Sequence, residues 1–182
     1  MHRKSGLWFY FAMLGVCFTA IWLSATRSND FLLHLGIFSL YQTWVGRRAI
    51  AVKTLRAATP DYILLVIASA NGILMLLSAN MLLVFFGSIQ VYMAVSHWIR
   101  CLKVLRGGEL PQAYWLRVHI GMMTGGFIAS VTAFLVVNHN TSDSVLPVWL
   151  TWLLPTLLLL PVIIYWISKY TGNGKKNMVK VK

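Results

Sequence analysis

The chain has 182 residues, 58% of them hydrophobic and 11% charged, with a mean hydropathy of +0.70. Water-soluble domains carry about 25% charged residues, so that class is excluded, and the high apolar content without a three- or seven-residue period excludes collagen-like, coiled-coil and disordered chains. Sixteen Lys and Arg against four acids give a formal charge of +12, but the bases stand in small clusters between apolar runs and not on one solvated face with stacking aromatics, which argues against a nucleic-acid partner.

What remains is an all-α integral membrane protein, read as a bundle of six transmembrane helices built as three consecutive hairpins. About 20 mostly apolar residues cross the hydrocarbon as a helix. Six segments qualify, at 7–24, 31–49, 61–78, 81–99, 115–137 and 147–168. None alternates as a membrane strand would, and a helix satisfies its own backbone in lipid. The chain therefore divides into a six-helix transmembrane domain, 1–168, and a basic cytoplasmic tail, 169–182, in which Thr171-Gly172-Asn173-Gly174-Lys175-Lys176 has the composition of a mobile end.

In the first segment, Met1-His2-Arg3-Lys4 before an apolar run has the look of a secretory signal. The run is too long for one, and further spans follow, so an uncleaved helix is expected. The second segment places His34, Phe38, Tyr41, Val45 and Arg48 on one stripe at about 100° per residue. The third opens at Pro60-Asp61, where Asp61 is expected to cap the helix, and carries Asn71, expected to bond between helices.

On the fourth, Phe86, Gln90, Met93, His97 and either Arg100 or Cys101 share a stripe. The fifth pairs His119, Met122, Met123, Gly126 and Ser130 on one face with a small-residue ridge, Gly121, Gly125, Ala129 and Ala133, on another. Small residues at four-residue spacing let a neighbouring backbone approach. The three polar stripes are candidates to meet inside one bundle. Pro155 and Pro161 fall inside the sixth segment, where a bend is expected. Cys17 and Cys101 are expected as free buried thiols. Six tryptophans, including Trp8, Trp22, Trp98 and Trp115, fall near span ends, as a bilayer interface selects.

Fifteen of the sixteen bases lie before the first span, between the second and third, between the fourth and fifth, or after the sixth; Arg27 alone lies on the other side. The positive-inside rule then makes both termini cytoplasmic. The partners implied are a lipid bilayer with an anionic cytoplasmic leaflet and other membrane proteins.

Polar residues within lipid mark the places to look for function. On this topology His97 and His119 lie at one depth near the cytoplasmic face on consecutive antiparallel helices. Two imidazoles so placed could ligate a b-type haem, with Gly126 leaving room for a porphyrin edge and Arg100, Lys103 or Arg117 neutralising propionates. The same two histidines are the candidate metal ligands, although no Asp or Glu stands within one turn of either. Interhelical hydrogen bonding is the simpler role for each. His34, Tyr41, Gln90, Ser130, Thr132 and Asn138 are further polar candidates. Two classes stay open: a redox or haem-binding protein, and a non-redox small transporter or accessory subunit of a larger membrane complex. Whether the protein is an enzyme is left open. Nucleotide-binding loops and Gly-x-Ser-x-Gly elbows are missing from the sequence.

Phe38-Ser39-Leu40-Tyr41 with Gly46-Arg47-Arg48-Ala49, and His119 with Met122 or Met123, Phe127-Ile128-Ala129, Thr132-Ala133-Phe134 and Val137-Asn138, form a recognisable combination. It resembles a group of small, uncharacterised multi-pass bacterial membrane proteins bearing a domain of unknown function. The resemblance implies an inner-membrane protein of several helices with added weight on His119, Thr132 and Asn138; it implies no reaction or ligand.

Overall fold

A computed structural model describes residues 2–111, 113–139, 147–171 and 178–179. Among them are six helices: α1 (His2–Arg27), α2 (Asp30–Ala51), α3 (Thr59–Leu76), α4 (Met81–Leu105), α5 (Tyr114–His139) and α6 (Val148–Thr171). Two short strands, β1 (Leu110–Pro111) and β2 (Met178–Val179), pair antiparallel, with Leu110 opposite Val179. Thus α6 runs three residues past the expected span end, and Met178–Val179 pair with the segment after α4. The rest of the tail, 172–177 and 180–182, and the connection at 140–146 lie outside the described residues.

Side-chain chemistry at the turns explains where the helices start. Asn29 Oδ1 accepts from Leu32 N at 3.0 Å and caps α2; Asn80 Oδ1 accepts from Leu82 N at 2.9 Å and caps α4. Helix α3 begins differently. Its N-cap, Ala58, has no acceptor side chain, and Asp61 inside the first turn reaches back to the Ala58 N–H at 2.8 Å. Asp61 therefore caps from within the helix, which corrects its expected position. Helix α6 continues through Pro155 and Pro161 to Thr171.

The helices pack as three hairpins in chain order: α1 on α2, α3 on α4, and α5 on α6. Helix α2 joins them, because it also packs along α5 and against α3. Close approach is needed at its seams. A Cβ on Gly36 would meet Ile21 and Ala20 of α1 at 3.1 and 3.3 Å, and one on Gly46 would meet Met123 of α5 at 2.8 Å.

Five helices, all but α2, contain stretches long and apolar enough to cross a membrane, and no more than a third of any such stretch is buried. Expected as a sixth apolar span, α2 is instead the polar one, with Gln42, Thr43, Tyr41 and Gly46 all buried. The reason is position. A helix surrounded by other helices faces protein in place of lipid, and Tyr41 on it bonds His97, whereas Gln42 Oε1 and Thr43 Oγ1 are buried with no hydrogen-bond partner among the described residues. Outside, large apolar side chains stand exposed along the other helices, among them Trp8, Phe11, Val16, Leu77, Met81, Phe134 and Leu158. Cys17 and Cys101 are free and buried, as expected.

A candidate polar site at one end of the bundle

The C-terminal ends of α2 and α4 and the N-terminal end of α3 converge, because α2 and α3 are joined by the short connection 52–58 and α3 and α4 form a hairpin. Asp61 is the hub. Its carboxylate accepts from Arg48 Nε and Nη2 of α2 in a fork at 2.9 and 2.7 Å, from Trp44 Nε1 at 2.8 Å, and from the Ala58 N–H. Asp61 is 6% exposed and Arg48 31%, and this is the only ion pair among the described residues. A planar guanidinium against a carboxylate is the geometry in which such a pair is strongest. It lies where helix dipoles favour it, the acid at an N-terminus and the base near a C-terminus.

One turn deeper, the Tyr41 hydroxyl and His97 Nδ1 share a hydrogen bond of 3.0 Å; Tyr41 is fully buried and His97 nearly so. Arg100, one turn beyond His97 on α4, is 6% exposed, and its Nε has no hydrogen-bond partner among the described residues. Arg48, Arg56, Asp61, His97 and Arg100 line a common cavity with Val45 and Leu55. The cavity has a volume of about 20 Å³ and opens to the surface. Leu55, in the connection, holds a left-handed backbone at φ 56 with its N–H bonded to Val52 O at 2.8 Å. Leucine adopts that conformation at a cost of order 1 kcal/mol, and here it turns the side chain onto the core.

A second polar cluster lies nearer the opposite end. His34 Nδ1 donates to Asn71 Oδ1 at 2.8 Å, and Asn71 Nδ2 donates to His34 O at 3.2 Å. Asn71 also approaches Gln90 Oε1 at 3.5 Å, and Gln90 Nε2 donates to Ala68 O at 3.0 Å. The stripes of α2 and α4 thus meet through Asn71 of α3, in the interhelical role expected of that residue. The α5 stripe joins them through Met122, which packs with Met93 on the cluster of Tyr41 and Val45, while the polar side chains of α5 bond elsewhere. His119 Nδ1 donates to Gly46 O of α2 at 2.8 Å, and Ser130 Oγ bonds to Gly126 O at 3.0 Å and Met13 Sδ of α1 at 2.9 Å.

His97 and His119 thus bond to different groups of α2. No lengthwise packing joins α4 to α5. The two histidines reach α2 at Tyr41 and Gly46, which are five residues and about 140° apart around that helix. Gly126, expected to make room for a porphyrin edge, is buried, and a Cβ there would lie 3.8 Å from both Met13 of α1 and Thr43 of α2. Arg117 and Lys103 are exposed. Thr132 is buried, and Asn138 bonds its own helix at Phe134 O, 2.7 Å. Among the described residues, no three His, Cys, Asp or Glu side chains gather as a metal-binding group.

Several of these residues escaped the sequence reading. Trp44 and Gln42 were given no role, although both stand on the helix with the most interior polar side chains. Trp98, expected at the bilayer interface, donates inward to Ser69 Oγ at 3.1 Å, and Trp115 carries Lys53 over its ring at 5.0 Å. The α3–α4 seam rests on Gly72 and Gly87, and a Cβ on Gly87 would stand 2.8 Å from Met75 Cβ and 3.2 Å from Gly72 O. Gly72 and Gly87 are on different helices, so no four-residue spacing announces them. Of the expected ridge, Gly125 meets Gln42 of α2, whereas Gly121 touches only Ile167 of α6, at 4.0 Å, and Ala133 is exposed. Comparison with family models, with curated proteins and with solved structures finds no match to this chain.

Proposed function

We propose that this chain is a multi-pass protein of a bacterial inner membrane, with six spans and both termini cytoplasmic, and that it works without a redox cofactor as an accessory component. The observation that carries the membrane reading is the inverted distribution of side chains. Tryptophan, phenylalanine and leucine cover the outside of α1, α3, α4, α5 and α6, while His97, Gln90, Asn71, Asp61 and Arg100 are buried. In water such an exterior far exceeds the apolar patch a monomer exposes, whereas in lipid it is the surface that solvates the protein. Helix α2 crosses at the centre, its 22 residues reaching about 33 Å.

The accessory reading rests on how the interior polar groups are used. His34, Asn71 and Gln90 bond one another, Tyr41 bonds His97, and His119 bonds the α2 backbone. A substrate path needs polar groups free to exchange partners, and these are spent on holding α2 against its neighbours. Protein expressed with haem and iron supplied and purified in mild detergent should show no Soret band and resist alkaline extraction from membranes. A stoichiometric Soret band lost in both His97→Ala and His119→Ala would overturn the non-redox reading, and release by alkali would overturn the membrane reading.

A further inference from the structure

The cavity between α2, α3 and α4 holds more positive charge than its own residues neutralise. Asp61 is its one acid, and that carboxylate is fully engaged by Arg48, Trp44 and the Ala58 N–H. Arg48 and Asp61 cancel, which leaves Arg56 and Arg100 without a counter-charge. Arg100 matters most, since a guanidinium N–H buried without an acceptor is unfavourable. Arg100 lines the cavity, and its Nε is buried with no acceptor among the described residues. Arg56 is exposed at the mouth, and His97, in the wall, has its Nδ1 committed to Tyr41.

We propose that this cavity binds a phosphate group, with Arg100 as the buried donor and Arg56 as the charge at the mouth. Guanidinium forks match phosphate oxygens in geometry and charge. The cavity's 20 Å³ is room for about one water-sized group, so a phosphate would place an oxygen there and keep its remaining oxygens toward the open side. The group has two possible sources, an anionic lipid headgroup or soluble phosphate. The lipid source rests on the membrane orientation proposed above, which sets the cavity at headgroup depth in the cytoplasmic leaflet; the soluble source does not.

The test is thermal unfolding of the full chain in neutral detergent, titrated separately with inorganic phosphate, with phosphatidylglycerol, with phosphatidylcholine, and with chloride at matched ionic strength. A ligand of the folded state raises the unfolding temperature with concentration. Phosphate or phosphatidylglycerol should do so beyond the chloride and phosphatidylcholine responses. Response to both marks the shared chemistry, to phosphatidylglycerol alone the lipid source, and to phosphate alone the soluble source. Arg100→Gln should weaken the apparent affinity about tenfold or more, as expected for loss of a charge-assisted hydrogen bond. Should that variant fail to fold, Arg56→Gln, altered only at the exposed mouth, should weaken it severalfold, while Arg106→Gln, exposed at the same end of the bundle, should respond as the unaltered protein. No response beyond the controls, or variants at 100 and 56 that respond like the unaltered protein, would overturn the proposal. The titrations stay readable if the chain proves not to be membrane-embedded, so failure of that reading is distinguishable.

Discussion

Asp61 draws its importance from the number of elements its carboxylate ties. Trp44 and Arg48 come from α2, the Ala58 N–H from the connection, and Asp61 itself from the first turn of α3. Replacing it by Asn keeps the shape but leaves a half-buried Arg48 without its counter-charge, the costly way to break such a pair. We expect Asp61→Asn to lose about 2–3 kcal/mol of stability, a central value for a hydrogen-bonded ion pair of which one partner is removed. Chemical unfolding in detergent would measure it, and a double-mutant cycle with Trp44→Phe should show non-additivity because both act on Oδ1. Full stability in the Asn variant would mean that the cap and the pair contribute nothing. The sequence marks Asp61 as a helix start from Pro60 and the apolar run that follows. It does not mark Arg48 as the partner, since thirteen residues and a left-handed Leu55 separate the two.

At the scale of elements, the seams between helices are decided by where backbones come close. Gly125 and Gly121 share one sequence ridge yet meet different surroundings: an added Cβ at 125 falls 2.6 Å from Gln42 Oε1, one at 121 reaches only Ile167 at 4.0 Å. Gly125→Leu should therefore destabilise by at least about 1–3 kcal/mol, the usual cost of forcing atoms into a packed seam. Gly121→Ala should be neutral or slightly stabilising, since alanine is the better helix former. Thermal unfolding in detergent separates the two, and an equal response would mean that α2 and α5 do not pack at Gln42. The spacing of small residues was legible from periodicity. Which end of the ridge faces α2 was not, because a helix with small residues on one face can present any part of it to a partner.

For the whole molecule, the charge distribution predicts orientation. Reporter fusions or thiol labels at Thr26 and Ser78 should mark the outside, and at Thr54 and Gly107 the cytoplasm, because fifteen of the sixteen bases lie on the second side. A cytoplasmic signal at Ser78 would reverse the α3–α4 hairpin and overturn the topology. The same orientation gathers Arg48, Arg56, Arg100 and Asp61 at the cytoplasmic end, so the polar cavity and the surface charge belong to one face of the protein.

Composition and hydropathy by themselves determined the helical class, the six elements and their pairing into hairpins, because apolar runs of helical length joined by short polar turns leave few alternatives. Residue chemistry at the turns determined the starts, as Asn29, Asn80 and Asp61 show. What the tertiary structure alone decided is which helix stands at the centre and who meets whom. Read locally, α2 was one apolar span among six; in the fold it is the polar axis on which α1, α3 and α5 pack. His97 and His119 share a depth in the sequence pattern, yet depth fixes only one coordinate, and the angular placement of α4 and α5 around α2 turned the two rings to different partners, Tyr41 and the Gly46 carbonyl. The pairing of Arg48 with Asp61 and the unpartnered Nε of Arg100 have the same origin: they follow from the three-way convergence of helix ends, a long-range arrangement that periodicity within one helix does not encode.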